Sequence, residues 1–211
     1  MSLAYDSNQA ITELSIADKK LGKAIRKVGE FQLNPQRMTG PFEALARSIV
    51  YQQLSGKAAG TILGRVKELF PRKRIKPDLV LDMREENLRG AGMSRNKVAA
   101  FRDLSEKTLD GTVPTLARLR KMNDIEIIER LIQVRGIGQW TVEMLLMFHL
   151  GRPDVMPATD LGIRKGYMIL EGMSELPKPS DLLSLTEHWK PWRSVASWYL
   201  YRIADTEFWA S

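Results

Sequence analysis

Apolar residues recur along this chain at steps of three and four, the period of an amphipathic helix. Phe42, Leu45, Ala46, Ile49, Val50 and Gln53 mark a helix from Pro41 to about Leu54, with proline in its first turn. Ser55 is placed to cap the next, whose stripe is Ala58, Ala59, Ile62, Leu63, Val66, Leu69 and Phe70 and which Pro71 stops. Asp82 with Glu85 reads as a capping pair before a short helix ending at Gly90 to Gly92, and Ser94 caps a helix through Val98, Phe101, Leu104 and Leu109, closed by Gly111. Asp124 opens a helix with Ile125, Ile128, Leu131 and Ile132 apolar. Further helices run from Thr141 to Leu150 and from Asp160 to Leu170, from Ser180 to about His188, and from Pro191 to about Ala204. One N-terminal helix through Leu14, Leu21, Ile25 and Val28 completes the set. No alternating strand pattern with hairpin turns competes, and Leu79-Val80-Leu81 is too short to change the fold class, which is all-α.

Composition narrows the chemistry. The 211 residues suffice for one sizeable core or two small lobes. There is no cysteine, which excludes disulfides, a thiol nucleophile, a zinc–thiolate site and a cysteine-held iron–sulfur cluster. His149 and His188 lie far apart without helix-spaced ligand neighbours, so no side-chain metal cage is expected. The formal net charge is +7 and the pI about 9.7, compatible with a polyanionic partner. The basic runs Pro71 to Arg74 and Arg118 to Lys121 read as solvated turns. No apolar run is long enough to cross a bilayer and the start lacks the plan of a signal peptide, so no membrane association and an intracellular location are expected.

Candidate chemistry is concentrated between Leu131 and Ile163. In Val134-Arg135-Gly136-Ile137-Gly138 the glycines permit positive φ and close backbone approach. The helix that follows directs N–H groups and its positive dipole end at the turn, a site for an anion, and Ile137 is placed to plug between the flanking helices. A plain helix–turn–helix with a glycine C-cap is the competing reading. Asp160, in Pro157-Ala158-Thr159-Asp160-Leu161-Gly162-Ile163, sits at a helix N-cap. It either caps alone, or also stabilises a sugar cation and orients an attacking water.

The block VRGIGQWTVEMLLMFHLGRPDVMPATDLGI resembles the helix-hairpin-helix (HhH-GPD) DNA glycosylase superfamily. With SIVYQQLSGKAAGTI, GMSRNKVAAFRDLS and WKPWRSVASWYLYR, it is similar to the 3-methyladenine DNA glycosylase II (AlkA-type) family over roughly residues 40 to 205. That resemblance implies a two-lobed helical fold with the active-site cleft between the lobes: a central lobe over about 41–150 and a second over about 1–40 with 151–211. Some members add an N-terminal β domain, and with about 40 residues before the first helical block a compact member without it is expected. Asp160 matches the catalytic aspartate. Val134, Gly136 and Gly138 match the hairpin whose main chain holds a DNA phosphate, with Arg135, Thr141 and Lys57 as further phosphate contacts and a monovalent cation on the Val134 carbonyl. Arg135 stands where the superfamily often has proline. No cofactor is required. Trp140 falls where bifunctional relatives carry a Schiff-base lysine, which implies a monofunctional enzyme that leaves an abasic site.

The partner implied is double-stranded DNA with a damaged base, handled by a cytoplasmic, nucleoid-associated monomer. The base must be flipped out, and the turn at Gln52 matches the family's wedge, with Gln53, Leu54 and Ser55 as inserting residues; a core role for Leu54 stays open. Trp140, Met144, Trp189 and Trp192 are the candidate base pocket, since electron-rich indoles stack on a cationic purine. Core packing remains the competing role for Trp189, Trp198 and Trp209. A different lesion range, N1- or N3-alkylated pairing edges or oxidised purines, and a non-catalytic DNA-binding module are the alternatives.

Overall fold

The computed structural model describes Leu3, residues 5–36 and residues 38–205, so Trp209 lies outside the described residues. Regular structure among them is helical throughout. In chain order the helices are α1 (Ser7–Ala17), α2 (Lys19–Val28), α3 (Pro41–Tyr51), α4 (Gly56–Glu68), α5 (Pro77–Asp82), α6 (Glu85–Gly90) and α7 (Arg95–Leu109). They continue as α8 (Leu116–Leu119), α9 (Asp124–Leu131), α10 (Gln139–Phe148), α11 (Leu161–Glu171), α12 (Pro179–Leu185) and α13 (Arg193–Ala204). Two compact units result. One spans 38–142; the other takes the chain up to residue 37 together with that from 143 on, so the boundary falls inside α10.

In the 38–142 unit the core is formed by Leu45, Ile49, Leu63, Val66, Val80, Leu88, Phe101, Leu104, Ile127 and Leu131, all buried. Several helix ends depart from the sequence reading for identifiable reasons. Leu79-Val80-Leu81 is not extended but the middle of α5. The Arg102 guanidinium closes that helix's C-terminal end by donating to the carbonyls of Leu81 at 3.0 Å and Met83 at 3.1 Å. Asp82 therefore ends α5 instead of capping α6, whose cap position is Arg84. α9 does open at Asp124, and Asn123 caps it: it accepts the Glu126 N–H at 2.9 Å while Glu126 accepts the Asn123 N–H at 3.0 Å, a reciprocal capping box.

In the other unit, the single N-terminal helix expected from apolar spacing is two. Asp18 breaks it with extended backbone (φ −140°, ψ 107°) and caps α2 by accepting the Leu21 N–H at 2.9 Å. The Ser180 region likewise differs: α12 begins at Pro179 and ends at Leu185, followed by a 3-10 turn over Glu187–Trp189. The core here is Leu14, Leu21, Ile25, Ile163, Tyr167, Trp189, Tyr199, Leu200 and Ile203.

Packing in this unit centres on α11 against α13. Gly166 is buried, and a Cβ placed on it would lie 2.1 Å from the Leu200 carbonyl oxygen. Only a residue without a side chain permits that approach. The loop before α11 is fastened to the start of α13. Arg193 forms a two-pronged pair with Asp154 (2.5 and 2.9 Å), the Ser194 N–H donates to the Pro153 carbonyl at 2.9 Å, and the Val155 N–H donates to Ser194 Oγ at 2.9 Å.

Gly166→Ala is expected to destabilise the protein by about 1–3 kcal/mol or more. Gly64→Ala on α4, where an added Cβ meets nothing within 4 Å, is expected to stabilise it by about 0.5–1 kcal/mol. Thermal or urea unfolding of the two variants checks both signs.

Candidate active site and nucleic-acid interface

The glycine hairpin occupies the segment between α9 and α10. Gly136 has φ 76°, in the left-handed region, and its missing side chain leaves room for Ala100: a Cβ there would be 3.3 Å from the Ala100 methyl. Ile137 is buried, as a plug should be, while Arg135, Gly136, Gly138, Gln139 and Trp140 are exposed. The turn is closed by the Ile137 N–H donating to the Val134 carbonyl at 3.0 Å. Gln139 and Trp140, the first two residues of α10, thus belong to an exposed stretch, as an anion site at a helix N-terminus requires, while the Thr141 N–H donates to the Gly138 carbonyl at 3.0 Å.

Behind the hairpin stands α7, and this support was not legible in the sequence. Lys97, Ala100, Asp103 and Lys107 recur at steps of three and four on one side of it. Asp103 accepts the Arg135 N–H at 2.7 Å with one oxygen and pairs with Lys107 at 2.6 Å through the other. Partial burial opposes ionisation of Asp103, but the Lys107 ammonium and the Arg135 N–H outweigh it and hold the carboxyl below its usual range. Lys97 donates to the Val50 carbonyl at 2.8 Å, closing the end of α3. Gln52 donates from Nε2 to the Gly136 carbonyl at 2.7 Å, tying the turn after α3 to the hairpin. In that turn Gln53 has φ 58°, and Gln53, Leu54 and Ser55 all face solvent, with Leu54 39% exposed. The core role left open for Leu54 is thereby set aside. Ser55 also caps α4, accepting the Ala58 N–H at 3.4 Å, and Lys57 follows, exposed.

The second cluster lies in the other unit. Asp160 is the N-cap of α11 and accepts the Ile163 N–H on Oδ1 at 3.1 Å. Capping therefore does occur, and it leaves the carboxylate further capacity to accept hydrogen bonds. Tyr201, on the last turn of α13, hydrogen-bonds the Asp160 side chain and lies with its hydroxyl 3.8 Å from the Met144 sulfur. Burial, then the negative charges of Asp160 and Glu143, push the Tyr201 hydroxyl pKa far up, so it stays protonated. Tyr201 stood in a quoted block but carried no distinguishing pattern, and only the packing of α13 brings it to Asp160.

The sequence pattern of the HhH-GPD superfamily of base excision DNA repair proteins matches residues 46–192, more than half of the chain. The chain belongs to the HhH-GPD superfamily. It is 37% identical over 196 residues to DNA-3-methyladenine glycosylase 1 of Schizosaccharomyces pombe, covering 92% of this chain and 86% of that protein. A solved structure of the Schizosaccharomyces pombe 3-methyladenine DNA glycosylase Mag1 in complex with abasic DNA matches with a TM-score of 0.82 at 37% identity, covering 92% of this chain and 95% of the other. The Bacillus halodurans DNA-3-methyladenine glycosidase matches with a TM-score of 0.85 at 36% identity, covering 94% and 90%.

The tryptophans of this HhH-GPD protein divide by environment. Trp140, at the second position of α10, is 45% exposed, and Met144 one turn later on the same helix is half-buried. Trp192 is half-buried at the cap of α13, its indole N–H donating to Glu13 at 2.5 Å and its ring 5.7 Å from that of Tyr5. Trp189 corrects the sequence reading. It has no exposed surface, its ring packs on Tyr167 at 5.7 Å, and its N–H donates to Asp18 at 3.0 Å, so it is a core residue and no wall for a base. Trp198 likewise packs, edge-on to Tyr199 and Phe31. Thr141 is buried, which withdraws its side chain from direct contact with a phosphate at the surface. Among the described residues, no group of three or more acidic, histidine or cysteine side chains is arranged to hold a metal, and no helix is long and apolar enough to cross a membrane.

The Arg135–Asp103 tie makes a pH prediction. The carboxylate's lowered pKa means its contribution is complete above the unfolded value, about 3.9, and is lost as pH falls through the lower folded value. The Arg135 amide resonance followed by NMR should report that titration below the ordinary carboxylate range, and Asp103→Ala should abolish it.

Proposed function

We propose that the protein is a monofunctional DNA glycosylase that releases alkylated purines of the 3-methyladenine and 7-methylguanine type from double-stranded DNA and leaves an abasic site. The observation that carries the reading is the Asp160 carboxylate, held at the N-cap of α11 by the Ile163 N–H and met by the Tyr201 hydroxyl, in a chain of a base excision repair superfamily. The names of its relatives agree with it.

Alkylation at N3 or N7 makes the purine cationic, so the base departs as a neutral molecule with the electron pair of the glycosidic bond. Positive charge then develops on the sugar, where an ionised Asp160 stabilises it. Water adds its oxygen to the sugar carbon and gives its proton to the carboxylate, which closes the reaction. No general acid is needed for such a leaving group.

DNA is held through its backbone by the hairpin amides at Gly136 and Gly138, with Arg135 and Lys57 adding charge and the Val134 carbonyl available to a monovalent cation. Gln53, Leu54 and Ser55 fill the stack vacated by the flipped base, and the exposed indole of Trp140 offers that base a stacking face. The indole of Trp140 supplies no amine for a Schiff base, so strand cleavage has no covalent route.

Asp160→Asn is expected to bind lesion duplex normally while base release falls on the order of 100-fold or more, read in single-turnover assays. Full release by that variant would remove Asp160 from the chemistry. Borohydride is expected to trap no covalent protein–DNA adduct, and efficient trapping would overturn the monofunctional assignment.

A further inference from the structure

We propose that Tyr201 is a positioning residue for Asp160: its hydroxyl fixes the carboxylate plane in the orientation that faces the sugar, and Gly162 keeps the space between them open. The inference rests on Asp160 acting at the sugar. A carboxylate held by one N-cap bond still turns about its last torsion, which is broad for an sp³–sp² bond. The Ile163 N–H engages Oδ1 from within α11, and Tyr201 reaches the group from a different helix, α13. Two donors from two directions remove that freedom before substrate arrives.

The tyrosine has one hydrogen to give and two acceptors in reach, Asp160 and the Met144 sulfur at 3.8 Å. An ionised carboxylate is the stronger acceptor by far and a thioether a weak one, so the hydrogen goes to Asp160. The backbone is cut to fit this pair. A Cβ on Gly162 would stand 3.1 Å from Asp160 Oδ1 and 3.1 and 3.2 Å from two ring carbons of Tyr201. One turn further along α11, Gly166 admits the Leu200 carbonyl and so sets the depth at which its neighbour Tyr201 is presented.

Tyr201→Phe keeps the ring and removes only the oxygen. Single-turnover release of 7-methylguanine is expected to fall roughly tenfold to a hundredfold, the size of a lost hydrogen bond to a charged group, while affinity for abasic-site duplex stays within about twofold. Gly162→Ala, which keeps the hydroxyl but places a methyl against both groups, should lower release in the same direction. Melting temperatures of both variants are recorded alongside. Release by Tyr201→Phe within about twofold of the unaltered protein overturns the proposal. So does a loss that appears equally in duplex affinity, which would make Tyr201 a DNA-contacting wall. Asp160→Asn in the same assay separates the two readings. If it releases base normally, the Asp160 chemistry fails; if it is inactive beside a fully active Tyr201→Phe, only the positioning role fails.

Discussion

Between α11 and α13 the chain packs backbone on backbone at Gly166 and Leu200, closer than any pair of side chains would allow. Much of the residue 1–37 and 143–211 unit is organised around that contact. The first two turns of α13 fasten residues 153–155 through Arg193, Ser194 and Ser197, which sets the path of the loop leading to Asp160. Its last turn delivers Tyr201 to the carboxylate. Helix faces carrying larger residues would hold the axes apart and leave Asp160 as an ordinary cap.

The unit of residues 38–142 solves a different problem, that of holding an exposed turn still without burying it. Loops exposed to solvent are mobile unless their backbone groups are engaged. Here α7 supplies the engagement: Asp103 takes the Arg135 N–H, Ala100 fits beneath Gly136, and Lys97 closes the end of α3, from which Gln52 reaches to the Gly136 carbonyl. The two turns proposed to hold DNA, the hairpin and the Gln53-Leu54-Ser55 turn, are thus fastened to one helix and to each other. A negative charge behind a turn proposed to hold phosphate is unfavourable in itself. Asp103 is neutralised by Lys107 and spends its remaining oxygen on ordering the hairpin backbone.

Helical periodicity was legible nearly everywhere because burial on one face imposes a 3.6-residue repeat on the sequence. Ser55, Ser94 and Asp160 were legible as caps because an N-cap acts on amides only two or three residues away. Misreadings fell where a distant group decided the local structure. The guanidinium of Arg102 closes the C-terminal end of the helix over 77–82, and Asp18, whose far oxygen takes the Trp189 N–H, splits the N-terminal helix. From its residue type Trp189 suits a pocket wall or a core, and only its surroundings show it enclosed by Tyr167 and Asp18.

By itself, then, the sequence determined the helical class, the hairpin, the acid at a helix start and the absence of a lysine at Trp140, since each is expressed within a few residues. Tertiary structure alone decided which side chains those features work with. Tyr201 lies 41 residues from Asp160, and Asp103 lies 32 from Arg135, so neither pairing leaves any local trace. What joins them is the close approach of helices at glycines, and a glycine in a sequence does not say whose backbone will fill the space it leaves.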